Sequence, residues 1–204
     1  MTDYFVLTGE KRRPWLDPDT LKQKFLELSA AVHPDRVHNA DVTQKQKSQH
    51  DYTELNAAYQ CLREPKERLR HLIELERGTK PEQVQRIPPD LMNLSLEIGQ
   101  VCRLADGIIA ERAKTTSPLL QVNLFERAQQ EIEKLTVLQR KLEGQHSALL
   151  NLLREFDVQW DSSGTPGSAP HTNLLTRLEE LYRLLSYYER WNSQVRERIA
   201  QLSF

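Results

Sequence analysis

Glycine, cysteine, a surplus of either charge and any long apolar run are all scarce or missing in this chain. With 7 glycines and 2 cysteines in 204 residues, there is little from which to build a glycine-rich phosphate loop or a disulfide framework. The 28 Lys and Arg nearly cancel the 29 Asp and Glu, leaving a formal net charge of −1. Proteins that grip nucleic acid through its phosphates carry a basic excess or stripe, so nucleic acid is not an expected partner. No apolar run approaches the ~20 residues that cross a bilayer, and no membrane association is expected. The opening "MTDYFVLTGE" has no basic flank, long apolar core or small-residue cleavage site. A reducing, cytoplasmic setting is therefore expected. Cys61 and Cys102 read as helix core filler, and with no histidine pair beside them they outline no zinc site. Paired catalytic carboxylates, a nucleophile motif and a metal cluster are also missing, so no cofactor, no metal and no enzymatic activity are expected.

What the chain does have is charge (28% of residues) spread over Leu-, Glu-, Gln- and Arg-rich segments, the composition of helices with wide solvated faces. Residues 1–80 read as a compact set of short helices. "DYFVLTG" makes a first apolar turn ending at Gly9. A second helix starts with Asp17 as cap and Pro18 in the first turn, and its apolar face is Leu21, Phe25, Leu28 and Val32. Thr43 and Gln46 fit a capping box opening a third helix, which buries Tyr52, Leu55, Tyr59 and Leu62 and stops before Pro65. Two amphipathic helices joined by a polar loop pack as an antiparallel hairpin. "PKERLRHLIEL" supplies one more short helix.

Three prolines and a glycine in "GTKPEQVQRIPPD" mark a hinge, placing a linker at 81–88. Beyond it, apolar residues recur in alternating steps of three and four. The three series are Ile87 to Ile108, Phe125 to Trp160 through Ile132, Gln139 and His146, and Leu174 to Leu202 through Asn192. Such heptads predict left-handed packing, and three of them in one chain predict an antiparallel three-helix bundle over 89–204. Gln139, His146 and Asn192 are read as register-setting or boundary positions, and the second helix, longer than its partners, is expected to bend at Gly144 or to project past the bundle. "SSGTPGSAPHT", residues 162–172, carries no apolar payload and is expected to be a flexible loop. The fold class is all-α.

The tripeptide His33-Pro34-Asp35 stands where the second helix must stop, because Pro34 disfavours α geometry at the residue before it. A helix C-terminus favours a protonated imidazole, and Asp35 just outside can start a turn or face a partner. By itself this is compatible with a plain helix stop.

In its setting, after an opening "DYF" and inside the loop of a helical hairpin, His33-Pro34-Asp35-Arg36 resembles the J domain of J-domain co-chaperones. Asp3, Tyr4, Phe5, Leu7, Gly9, Leu16, Asp17, Phe25, Leu28 and "LNAAYQCLREPKERLRHLIEL" extend the likeness through residue 78. "LREPKERLRHLIEL" is similar to the iron–sulfur co-chaperone family HscB, in which a J domain precedes a three-helix bundle. The resemblance implies docking of the loop on a DnaK/HscA-type ATPase chaperone, with promotion of ATP hydrolysis. Asp35 would make the charge-assisted contact, His33 and Pro34 would shape the loop, and Lys22, Lys24 and Arg36 would steer the encounter. Leu26 and Glu27 fall where other J domains often carry basic residues, so the positive face is thin. The resemblance further implies that the bundle delivers an IscU-like iron–sulfur scaffold protein. Because Leu91, Leu94 and Ile98 serve the seam, Met92, Leu96 and Glu97 are the expected scaffold contacts. An adapter for a different client, or a structural coiled-coil protein with a degenerate J domain, are the alternatives.

Overall fold

The computed structural model describes residues 2–37, 41–81 and 87–203, and among them every regular element is helical. The helices are α1 (Tyr4–Leu7), α2 (Pro18–Val32), α3 (Val42–Arg63), α4 (Pro65–Arg77), α5 (Met92–Arg112), α6 (Pro118–Trp160) and α7 (Ala169–Ser203), with short 3₁₀ turns at Pro34–Val37 and Pro89–Leu91. None of them is long and apolar enough to cross a membrane. The chain divides into two compact units: Met1–Glu82 with Leu150–Tyr182, and Gln83–Leu149 with Arg183–Phe204. The expected single bundle domain over 89–204 is thus divided, its 150–182 segment packing with the N-terminal helices. Residues 82–86 of the expected linker lie outside the described residues.

Local chemistry sets the helix ends of the first unit. The Asp3 carboxylate accepts from the Phe5 N–H at 3.0 Å and starts α1; that of Asp17 accepts from the Thr20 N–H at 2.8 Å and starts α2, with Pro18 in its first turn as expected. The expected box at Thr43 and Gln46 is not the cap of α3. Asp41 takes that place, its carboxylate accepting from the Gln44 N–H at 2.8 Å, so the helix opens at Val42. Pro65 pushes Glu64 into extended geometry, φ −89° and ψ 117°, and separates α3 from α4. Gly78, at φ 75°, closes α4 in the left-handed conformation that glycine adopts without steric cost.

Phe5, Leu21, Leu55, Leu62, Leu69, Leu72 and Ile73 are buried in the N-terminal helices, each contributing ~1.5–3 kcal/mol by removal from water. Arg68 is buried among them, donating to the Pro14 carbonyl at 2.8 Å and the Leu62 carbonyl at 2.6 Å, and burial lowers its pKa to about 10. Within the same unit the 12–15 segment is tied to the end of α6. The buried Asp157 carboxylate accepts from the Arg13 guanidinium and, at 3.0 Å, from the Trp15 N–H. Arg154 covers the Trp15 ring at 4.3 Å, and the Trp160 indole N–H donates to the Arg12 carbonyl at 2.9 Å.

The stretch 162–172 is no featureless connector. α7 starts at Ala169, and both Ser163 and His171 are buried. Ser163 donates to the Trp160 carbonyl at 2.8 Å and lies 3.1 Å from His171 Nδ1, while His171 Nε2 lies 3.3 Å from Glu76 Oε2. Hydroxyl and imidazole anchor the turn where apolar mass is lacking.

The core of the second unit is Ile98, Cys102, Ala105 and Ile108 of α5, Ala128, Leu135, Leu138 and Leu142 of α6, and Tyr187, Tyr188, Trp191, Val195 and Leu202 of α7. The α7 seam is as the heptads predict, Asn192 included, and Cys102 is core filler as read. The α6 seam differs at its start. Phe125 is 61% exposed and Leu124 is buried in its place; Glu131 and Leu138 are buried where Ile132 and Gln139 were expected to lead. The seam moves by one residue because the steps 138–142–146 are two consecutive fours, a stutter in the 3.5-residue repeat. Helix α6 runs through Gly144 without interruption.

Candidate functional site

The predicted loop is built by the end of α2 and braced by α3. His33 ends α2 in extended geometry, φ −60° and ψ 130°, the conformation that a following proline imposes. Pro34–Val37 then make a single 3₁₀ turn, closed by the Arg36 N–H donating to the His33 carbonyl at 3.0 Å. The His33 ring reinforces that turn. Its Nδ1 accepts from the Asp35 N–H at 3.2 Å, so in this geometry the ring proton sits on Nε2. The imidazole edge rests against Tyr52 of α3, centroids 5.2 Å apart at 76°.

Two further contacts hold the C-terminal end of α2, whose last carbonyls have no partners within the helix. Ser48 of α3 donates its hydroxyl to the Val32 carbonyl at 2.8 Å, and Arg36 Nη1 donates to the Ala30 carbonyl at 3.2 Å. With the backbone held on both sides, the Asp35 side chain stands 90% exposed, its Oδ2 3.6 Å from His33 Nδ1. Ser48 and Tyr52 were not singled out for this task from sequence. The signal is there, since both extend the helical face of Leu55, Tyr59 and Leu62 by steps of three and four.

Not all of the expected cations point outward for steering. Lys24 pairs with Glu10 at 2.7 Å and approaches the Gly9 carbonyl at 3.4 Å, so it fastens α2 to the end of the opening turn. Arg36 caps α2. Lys22 is exposed and, among the described residues of α2, is the cation without such a contact. The structure thus brings His33, Pro34, Asp35 and Arg36 together and leaves the positive surface thinner than the sequence implied.

The second predicted set lies in the other unit. Met92 and Leu96 are 45% and 56% exposed on α5, while Ile98 is buried and Leu91 and Leu94 are half-buried against the core, the expected division of faces. Glu97 is exposed, and Lys141 neutralises it at 2.7 Å. Among the described residues no group of three or more His, Cys, Asp or Glu could hold a metal ion.

A helical hairpin with an exposed His-Pro-Asp turn, followed by long helices, is the arrangement that the resemblance to J-domain co-chaperones implies. No family model matches the chain. Among curated proteins it is similar to the co-chaperone HscB homologue of Azoarcus sp., 36% identical over 73 residues, 36% of this chain and 41% of that protein. The homologue of Chromobacterium violaceum is 32% identical over 96 residues, 47% and 55% of the two chains. That of Bordetella pertussis is 38% identical over 72 residues, 35% and 42%. The chain spans about half the length of the curated relatives it matches. Its fold matches the chaperone HscB from Vibrio cholerae with a TM-score of 0.64 at 19% identity, covering 98% of this chain and 99% of that one. The chain is HscB-like in sequence and in fold.

Proposed function

We propose that the chain is a cytoplasmic co-chaperone that stimulates ATP hydrolysis by a DnaK/HscA-type chaperone and presents an IscU-like iron–sulfur scaffold protein to it. The observation that carries the first part is the Asp35 carboxylate, held out from a turn that His33, Ser48 and Tyr52 brace. A carboxylate fixed in this way is prepared for a charge-assisted bond to an arginine without ordering a loop first. The chain then acts without covalent chemistry of its own. It biases the chaperone towards the hydrolysing state by binding that state better than the resting one.

Single-turnover ATP hydrolysis by the DnaK-type and HscA-type chaperones of the same organism tests this. The wild type raises the rate, and Asp35→Ala returns it to the basal value with the fold intact by circular dichroism. Equal stimulation by both would remove the loop from the mechanism.

Scaffold delivery rests on the exposed apolar pair Met92 and Leu96. Pull-down of the scaffold protein by the wild type, lost in Met92→Ser/Leu96→Ser, is the expected result. The pairing of Glu97 with Lys141 favours a second reading, in which the bundle takes a different client. An intact bundle without affinity for the scaffold would select it.

A further inference from the structure

Beside the loop, α1, α2 and α3 leave an open groove of about 460 Å³. Leu55 forms its buried floor, and Leu7, Leu28 and Val32 line it as half-buried to exposed apolar walls. Asp51 and Glu54, three residues apart and so neighbours on α3, stand at its rim with His50. Among the described residues neither carboxylate has an ion-pair partner. The groove is contiguous with the loop, because Val32 lines it and immediately precedes His33. Ser48, which holds the Val32 carbonyl, lies two residues before His50 on the same helix.

The charge balance of the surroundings identifies the occupant. α2 carries Asp19 and Glu27 against Lys22 and Lys24, with Lys24 paired to Glu10, so the helix feeding the loop has no excess of positive charge. At the groove itself the carboxylates of Asp51 and Glu54 line an apolar slot. We propose that this groove is a second contact for the chaperone, taking from it an apolar side chain flanked by Lys or Arg, and that it selects the cognate chaperone. The inference rests on the co-chaperone reading and deepens it: Asp35 triggers hydrolysis, and the groove supplies affinity and partner choice. A segment with an apolar anchor and adjacent cations satisfies both parts of the groove; an acidic one meets repulsion from Asp51 and Glu54.

The experiment is the single-turnover assay titrated with wild type, Asp35→Ala, Asp51→Lys/Glu54→Lys and the milder Asp51→Asn/Glu54→Gln. Methyl spectra of Leu28 and Val32 are recorded as the ATP-bound chaperone is added. The charge reversal should raise the half-maximal concentration about tenfold with the maximal rate unchanged, the neutral pair less, and the methyl signals should shift. If the reversed variant does not fold, the neutral pair and the methyl shifts decide. An unchanged half-maximal concentration with unmoved methyls overturns the groove while Asp35→Ala still supports the loop. A lowered maximal rate at unchanged half-maximal concentration also overturns it, since the acids would then belong to the trigger. A change confined to self-association by light scattering would assign the groove to a second copy and likewise overturn the proposal. If the wild type neither binds nor stimulates, loop and groove fall together.

Discussion

Replacing Ser48 by alanine removes one hydroxyl, and the structure says what that hydroxyl does. It is 2.8 Å from the carbonyl of Val32, the last residue of α2, and Ser48 is 9% exposed. A net hydrogen bond of this kind is worth ~1 kcal/mol, and the cost rises when the abandoned acceptor stays shielded from water. The Val32 carbonyl has no partner within the helix to return to, so about 1.5 kcal/mol is the expected loss. For a chain of this size that lowers Tm by roughly 3–6 °C. The same change frees the residue before His33, so the Asp35 and Arg36 amides should exchange with solvent faster, and chaperone stimulation should weaken while Asp35 itself is untouched. Thermal unfolding, amide exchange and single-turnover hydrolysis are read together, with Ser48→Thr as the variant that keeps the hydroxyl. If Ser48→Ala melts within about 1 °C of wild type and exchanges at the same rate, α3 does not brace the loop.

Asp157→Ala strips the partner from Arg13 and from the Trp15 N–H and should cost ~3 kcal/mol in denaturant unfolding, whereas Asp161→Ala, 66% exposed and 3.6 Å from Arg13, should cost almost nothing. Equal effects would show that the 12–15 segment is not held by Asp157. Burial lowers the pKa of His71, whose Nε2 accepts from the Tyr4 N–H at 3.1 Å, so the folded chain takes the proton less readily than the unfolded one. Its contribution to stability is whole above the unfolded value of 6.5 and is lost as pH falls through the lower folded value. His71→Gln should flatten the acid side of the stability profile, and an unchanged slope would refute this. Burial raises the Cys61 thiol to about 11, so its alkylation at pH 8 should run about a hundredfold slower than that of a free cysteine, and labelling at the free rate would contradict its placement.

Much of this molecule is readable one helix at a time. Asp17 and Pro18 announce α2, Pro65 separates α3 from α4, and the α7 seam repeats so evenly that Leu174 through Leu202 sit where the spacing puts them. The turn at His33-Pro34-Asp35 is legible for the same reason, because a proline dictates the backbone of its neighbour. Each of these is decided within a few residues by sterics, capping or helical period. Asp41 could have been found by the same means, since a carboxylate before the helix is as good a cap as Thr43.

The rest is decided by partners far along the chain. Whether Leu124 or Phe125 enters the core depends on where α5 and α7 approach α6, and a 3.6-residue helix lets either neighbour serve. Lys24 looks like a free cation until Glu10 is placed beside it. Asp157 looks like one more solvated acid until Arg13 and the Trp15 N–H converge on it from more than 140 residues away. All-helical character, a proline-stopped hairpin loop and three heptad segments were readable beforehand, because they follow from local geometry. That residues 150–182 pack with the N-terminal helices, that Ser48 braces the loop and that Val32, just before it, lines an apolar groove with Asp51 and Glu54 is settled only when the chain folds. Such features depend on side chains that meet only after the chain has folded.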